Sequence, residues 1–146
     1  MRIVICQDTE RLFSEKAFSV YKDCMYKPTF EEYRNIMGEL VSDALVRIFL
    51  CEIDNGIVGM LVTKKEADKA EIVGIAVSEK YRDRGIAKQM LQHAIAEDGI
   101  QVVFAQTDDD AVGFYRKCGF EVVKEDIEYP DDVCVRYNCE LIAKNL

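Results

Sequence analysis

No apolar run in these 146 residues approaches the roughly 20 that a membrane-spanning helix needs. The N-terminus, MRIVICQDTE, has too short an apolar stretch for a secretory signal and turns acidic at once, so a cytoplasmic protein is expected. None of the six cysteines (Cys6, Cys24, Cys51, Cys118, Cys134 and Cys139) forms a C-x-x-C pair, and His93 is the only histidine. A zinc site needs closely spaced thiolates or imidazoles. No metal site is therefore expected, and the cysteines read as buried thiols in a reducing compartment. Cys134 and Cys139, five apart in an expected strand, would face opposite sides of it. A surplus of lysine and arginine is missing too. The net charge of −8 has the wrong sign for gripping a phosphate backbone, which argues against a nucleic-acid partner. It suits a cationic partner such as an amine. Linkers, repeats and low-complexity tracts are also absent, and a chain of this length can bury a core by itself, so one domain over residues 1–146 is expected.

What is present is a mixed pattern of strand and helix signals. A short strand is expected near residues 3–6. Thr9 is placed to cap a helix carrying Leu12, Phe13, Ala17, Phe18, Val20 and Tyr21 on one side. A second helix follows Pro28, with Thr29 and Glu32 spaced as a capping box. ALVRIFLCEI and IVGMLVTK flank Asp54-Asn55-Gly56, a hairpin signal in which Asn-Gly accepts positive φ. A strand over residues 71–77, a helix over 86–98 ended by Gly99, and a strand within QVVFAQT come next. A helix over about 109–117 closed by Gly119 and two last strands complete the order βααβββαβαββ. This is an α/β (α+β) domain with a mostly antiparallel sheet and flanking helices. The alternating C-terminal strand, VCVRYNCELI, offers an edge for pairing across a homodimer.

One junction carries chemistry. The apolar run VGIAV is followed by YRDRGIAKQM, which places two arginines, a glycine and a small residue at the mouth of a helix. The first amides of a helix lack intrahelical acceptors and, with the helix dipole, favour an anion such as phosphate. Gly85 lets a ligand approach the main chain, and Ala87 keeps the next turn small. Neither G-x-x-x-x-G-K-[ST] nor G-x-G-x-x-G occurs, so the familiar nucleotide loops are excluded.

A second signal, AVGFYRKCGF, lies beyond the next strand. R-x-x-G-x-A after one strand and A-x-x-F-Y-x-x-x-G-F after the following one resemble the GCN5-related N-acetyltransferase (GNAT) superfamily. The resemblance covers the whole domain in element order, and its motifs span residues 71–120. It implies acetyl-coenzyme A as donor, with the pyrophosphate on Arg82, Asp83, Arg84, Gly85, Ile86, Ala87 and Lys88. It further implies that the pantetheine arm pairs with the main chain of Ile75, Ala76 and Val77, in a cleft where this strand splays from the next. Where the family often has an asparagine that contacts the cofactor, this chain has Asp108, which accepts hydrogen bonds but cannot donate one when ionised. Asp108, Asp109 and Asp110 also suit a helix N-terminus.

Acetyl transfer to an amine imposes its own requirements. A lysine-like amine is only roughly 0.04% unprotonated at pH 7, so something must take a proton. Developing negative charge on oxygen needs a donor, which a main-chain amide of the splayed strand can supply. The departing thiolate benefits from a proton. Tyr115 matches the position the family uses as that acid; its other reading is an aromatic wall of the cleft. Glu71 in AEIVGIAV matches the base of the histone-acetylating branch, and reads equally as a water-facing carboxylate, with a water relay as the alternative base. No cysteine is paired with a base, so transfer is expected to be direct. The acceptor is a primary amine of a small molecule or peptide. A non-catalytic acyl-coenzyme A sensor is the competing reading; it would need the phosphate turn but neither Tyr115 nor Glu71.

Overall fold

Apolar runs and apolar stripes fold where their periods indicate. The structure is a computed structural model that describes residues 1–129 and 132–146, with side chains described for 1–126 and 135–146. Pro130 and Asp131, and the side chains of Glu128, Asp132 and Cys134, lie outside the described residues. The elements are β1 (Arg2–Ile5), α1 (Glu15–Tyr21), α2 (Phe30–Ser42), β2 (Val46–Ile53), β3 (Gly56–Glu66), β4 (Lys69–Val77), α3 (Ile86–Asp98), β5 (Val102–Thr107), α4 (Val112–Lys117), β6 (Glu121–Tyr129) and β7 (Asp132–Ile142). This is the expected order of strands and helices. Among the described residues seven strands form one sheet in the order β1-β2-β3-β4-β5-β7-β6. Every neighbouring pair is antiparallel except β4 and β5, which are parallel and joined through α3, as a parallel pair requires. No helix among the described residues is long and apolar enough to cross a membrane.

Several boundaries differ from expectation for local reasons. Thr9 does not cap α1. The carboxylate of Asp8 accepts the Glu10 amide and starts a short 3-10 turn over Thr9–Phe13, and Ser14 then caps α1 by accepting the Ala17 amide at 3.1 Å. A second small hydroxyl residue splits one apolar stripe into two pieces. Thr29 does cap α2, accepting the Glu32 amide at 3.1 Å. The hairpin loop is Asp54-Asn55, with φ of +52° and +64°, and Gly56 already pairs with Ile53. Both central residues of this tight turn carry the positive φ it demands. The α4 helix begins at Val112 rather than 109, because Asp108 holds the preceding amides in a turn. The C-terminal strand is not an edge: β7 is flanked by β5 and β6, and β6 is the outer strand.

Helices cover both faces of the sheet. The α3 and α4 side buries Leu61, Ile72, Met90, Leu91, Val103 and Tyr115, and the α1 and α2 side buries Leu12, Tyr33, Met37, Leu50, Met60 and Val62. Side chains alternate between faces along a strand, yet β4 breaks the alternation. Ala70 and Ile72 face α3, whereas two residues on Gly74 contacts the α1 side, and Ala76 is buried there. The cause is a bulge: Val62 pairs with Gly74 and Thr63 with Ile72, so Val73 has no residue opposite it in β3. Beyond the bulge, Val77 is buried on the α3 side.

The bulge also brings β4 under Tyr21 of α1. A β-carbon on Gly74 would lie 2.2 Å from the Tyr21 hydroxyl oxygen and 2.7–2.8 Å from its ring. The ring is only 4% exposed and cannot swing clear. Gly74→Ala is therefore expected to destabilise the fold by about 1–3 kcal/mol. Gly38→Ala, inside α2 where an added β-carbon meets nothing within 4 Å, should instead stabilise it by about 0.5–1 kcal/mol. Urea unfolding of the two variants checks both signs.

Candidate functional site

The sheet opens at its centre. Strands β4 and β5 pair only at Lys69–Val102, Ala70–Val103 and Glu71–Phe104, after which they part. The Ser78 amide donates to the Val58 carbonyl, so residues 76 and 78 turn their main-chain groups to β3. Residues 75 and 77 then face away from β3, into the gap that β5 has left. Two of the gap-facing carbonyls are engaged: Ile75 accepts the Cys24 thiol at 3.3 Å and Val77 accepts Arg82 Nε at 2.9 Å. The amides of Ile75 and Val77 have no β5 strand to donate to.

At the end of β4 the chain turns into α3. Asp83 and Gly85 take left-handed conformations, with φ of +62° and +77°, and no side chain caps the helix. The amides of residues 83–88 have no acceptor among the described residues. Successive unpaired amides at a helix start form a concavity for an anion. The surrounding side chains add positive charge: Lys80 and Arg84 lie over the Tyr81 ring at 5.6 and 5.3 Å, and Lys88 sits near enough to Cys118 to act on its thiol. In a chain of net charge −8 this concentration of cations is local and opposed to the average.

Tyr115 comes to the gap from α4. Its ring is held edge-on by Phe114 and Phe120, at centroid separations of 5.2 and 5.1 Å. It is 5% exposed, burial pushes its phenol pKa well above the usual 10, and its hydroxyl has no hydrogen-bond partner among the described residues. Cys24 and Tyr21 reach the same region from the α1 side, Cys24 within electrostatic range of both Tyr21 and Tyr115. Glu71 sits at the last paired position before the gap, half-buried, opposite in sense to Ala70 and Ile72 and so on the α1 and α2 face. It forms no ion pair among the described residues, although its charge is felt by Lys64 across the strand pair.

The sequence-derived residues thus fall into groups. Gly85, Ile86, Ala87 and Lys88 present their amides, as do Asp83 and Arg84, and Ile75 and Val77 line the gap. Ala76 does not, since its main chain is turned to β3 and its side chain is buried on the α1 face. Arg82 is largely committed elsewhere. Its amide donates to the Glu79 carbonyl, Nε to Val77, and one terminal nitrogen pairs with Asp23. Its guanidinium ties the turn to β4 and to the segment after α1. Asp108 closes the turn before α4, its carboxylate accepting the amides of Asp110 and Ala111 at 3.0 and 3.1 Å. Arg116 lies over the Tyr137 ring at 5.4 Å, and His93 packs edge-on against Phe49. Sequence reasoning missed Tyr21, Cys24 and Gly74; Tyr21 read as one more residue of an apolar stripe. No group of histidine, cysteine, aspartate or glutamate able to hold a metal exists among the described residues. A cavity of about 480 Å³ lined by Arg2, Arg11, Glu52 and His93, and one of about 350 Å³ between α2 and Phe13, lie away from the gap.

Comparison with known proteins gives a consistent result. The profile of the acetyltransferase (GNAT) family matches residues 6–120. A peptidyl-lysine N-acetyltransferase, YjaB, of Salmonella typhimurium is 28% identical over 116 residues, covering 74% of this chain and 77% of that protein. Among solved structures, a GNAT family acetyltransferase from Elizabethkingia anophelis with acetyl-CoA bound superposes with a TM-score of 0.66 at 18% identity, covering 97% of both chains. An aminoglycoside 6'-N-acetyltransferase complexed with coenzyme A gives a TM-score of 0.74 at 11% identity, covering 98% of this chain and 97% of the other. At such identities the structural likeness is one of fold.

Cys24 is exposed as a residue, but the protein crowds water from its thiol and raises its pKa from the usual 9.0 to about 11, against a smaller opposing effect of its bond to Ile75. The thiolate is the reactive form, so Cys24 should alkylate slowly at pH 7.5. Its rate should climb about tenfold per pH unit until it levels near pH 11. Peptide mass mapping after iodoacetamide pulses checks this; a rate that levels near pH 9 would contradict it.

Proposed function

The chain belongs to the acetyltransferase (GNAT) family, and from that premise we propose that it moves the acetyl group of acetyl-coenzyme A directly to a primary amine, with Tyr115 as the acid. The observation that carries this reading is Tyr115, its ring buried and fixed by two aromatic contacts and its hydroxyl left without a partner, open beside the gap between β4 and β5. A structural tyrosine at such depth ordinarily finds a hydrogen-bond acceptor.

Coenzyme A fits the donors present. The unpaired amides of residues 83–88 suit a pyrophosphate, and the gap-facing amides of Ile75 and Val77 suit the carbonyls of an extended pantetheine arm. The acetyl thioester supplies an activated acyl group. Tyr115 keeps its proton through the neutral range because burial raises its pKa, and so holds a proton available to the sulfur as the carbon–sulfur bond breaks. Main-chain amides of residues 75 and 77 are donors for the oxygen that gains charge. Glu71, on the α1 and α2 face, takes the proton lost by the amine, directly or through one water. A thiol relay has no support, since Cys24 carries a raised pKa and has no base beside it.

The acceptor is an amine of a small molecule or peptide, and its positive charge is favoured by the uncovered side of the sheet. There Glu66, Glu71, Glu121, Glu125 and Glu140 lie on the face opposite the α3 core, against Lys64, Lys69 and Arg136, which leaves a net negative charge. The resemblance to a peptidyl-lysine N-acetyltransferase favours a lysine side chain within that class. The described cysteines are all free, which favours a reducing cytoplasmic compartment.

Mass detection of acetylated product, with acetyl-coenzyme A and a panel of polyamines, amino acids, aminoglycosides and lysine peptides, tests the activity and identifies the acceptor. Tyr115→Phe is expected to lower turnover about 10²–10³-fold while leaving calorimetric affinity for coenzyme A within about twofold. Unchanged turnover would remove the acid assignment.

A further inference from the structure

The tyrosines buried among the described residues divide into two kinds. Tyr33, fully buried, donates its hydroxyl to the Leu12 carbonyl at 2.5 Å, and Tyr137 donates to Asp109 at 2.5 Å. Tyr21 and Tyr115, at 4% and 5% exposure, have no hydrogen-bond partner among the described residues. The one buried side-chain polar atom without a partner among the described residues is Thr63 Oγ1, so the Tyr21 and Tyr115 hydroxyls, unlike their rings, stay open to solvent, and both border the gap between β4 and β5.

Tyr21 is positioned with little freedom. Its ring packs on Tyr33 at a centroid separation of 6.1 Å and its hydroxyl rests on Gly74, the first residue beyond the β4 bulge. Gly74 has no positive φ to explain it, so the absence of a side chain there serves space alone. That space admits the Tyr21 hydroxyl to β4 at a point where β5 has departed. Tyr115 approaches from the α3 and α4 face and Tyr21 from the α1 and α2 face, and Tyr115 and Cys24 both lie within electrostatic range of the Tyr21 phenol.

We propose that Tyr21 is a second hydroxyl of the acyl-transfer site, a hydrogen-bond donor to the acetyl carbonyl oxygen of the bound thioester. The inference rests on the acetyl-coenzyme A reading above. The uncapped turn lies on the α3 side, so a thioester anchored there extends through the gap and presents its acetyl end toward the α1 side, where Tyr21 waits. Amine nitrogen then bonds to the carbonyl carbon and negative charge gathers on the oxygen. As the carbon–sulfur bond breaks, its electron pair leaves with sulfur, which takes the Tyr115 proton. Tyr21 transfers no proton; it donates one hydrogen bond that strengthens as charge develops, and the second lone pair of the oxygen stays available to a main-chain amide. Burial raises the Tyr21 phenol pKa well above 10, which keeps it a neutral donor.

Tyr21→Phe keeps the ring and removes only the hydroxyl. Its melting temperature should match or exceed that of the unaltered protein, because no internal hydrogen bond is lost. By calorimetry, affinity for acetyl-coenzyme A should fall about threefold to tenfold while affinity for coenzyme A, which lacks the carbonyl, stays constant. With a ¹³C-labelled acetyl carbonyl, the infrared stretch of the bound thioester should lie below its solution frequency in the unaltered protein and in Tyr115→Phe, and move back up in Tyr21→Phe. An unchanged carbonyl frequency and an unchanged ratio of the two affinities in Tyr21→Phe would overturn the proposal. Failure of the unaltered protein to bind either ligand would instead overturn the cofactor reading on which it rests.

Discussion

One extra residue in a strand governs the rest of this molecule. Val73 has no counterpart in β3, so β4 changes the face to which its side chains point between Ile72 and Gly74. Without the shift Gly74 would face the α3 core and Tyr21 would meet a side chain instead of open backbone. Two residues before the bulge, β4 also makes its last pairing with β5. A sheet that closed normally there would satisfy its own amides and leave no place for a ligand. The bulge and the parting of the strands together turn the middle of a sheet, usually its most inert region, into a site with donors on offer.

The turn after β4 follows the same logic of deliberate incompleteness. Most helix starts are capped by a side chain, as α1 is by Ser14 and α2 by Thr29. The α3 helix begins on Gly85 in a left-handed conformation and offers its first amides bare. Arg82 stiffens this arrangement, bonding back to Val77 and across to Asp23. The guanidinium of Arg82 thereby acts on the shape of the turn. Positive charge from Lys80, Arg84 and Lys88 remains at its rim, in a protein that is acidic elsewhere. On the function proposed above, that contrast would separate a phosphate-bearing donor, drawn to the turn, from a cationic acceptor.

The two faces of the sheet hold different parts of the proposed site. The α3 and α4 side carries the anion turn and Tyr115, and the α1 and α2 side carries Tyr21 and Glu71. Burial sets the protonation of the phenols: desolvation disfavours phenolate, so both stay neutral hydroxyls at physiological pH. Tyr21 and Tyr115 each pair a buried ring with a hydroxyl that has no protein partner and stays open to solvent, an arrangement that invites a polar guest. It is intelligible in a site whose polar partner arrives with the ligand, and Tyr33 and Tyr137 show that the same fold satisfies its purely structural phenols.

The local code of this chain determines much. Alternation, apolar stripes, the hairpin signal, Gly99 and the paired motifs around Gly85 and Tyr115 specify the order of elements, the family and the uncapped start of α3. These features depend on neighbours a few residues apart, which is why they are legible in sequence. Boundaries were less legible where two capping groups compete, as Asp8 and Ser14 do before α1, or where Asp108 delays α4. The roles of Tyr21, Gly74 and Cys24 belong to tertiary structure alone. Tyr21 and Gly74 are separated by more than fifty positions and meet only because a bulge reverses one strand face. Periodicity places Tyr21 correctly on an inward stripe, but it cannot tell a phenol that will find an acceptor from one that will not. That distinction arises only when distant strands part, since a hydrogen bond is decided by which atoms lie within about 3 Å and not by the order in which they are joined.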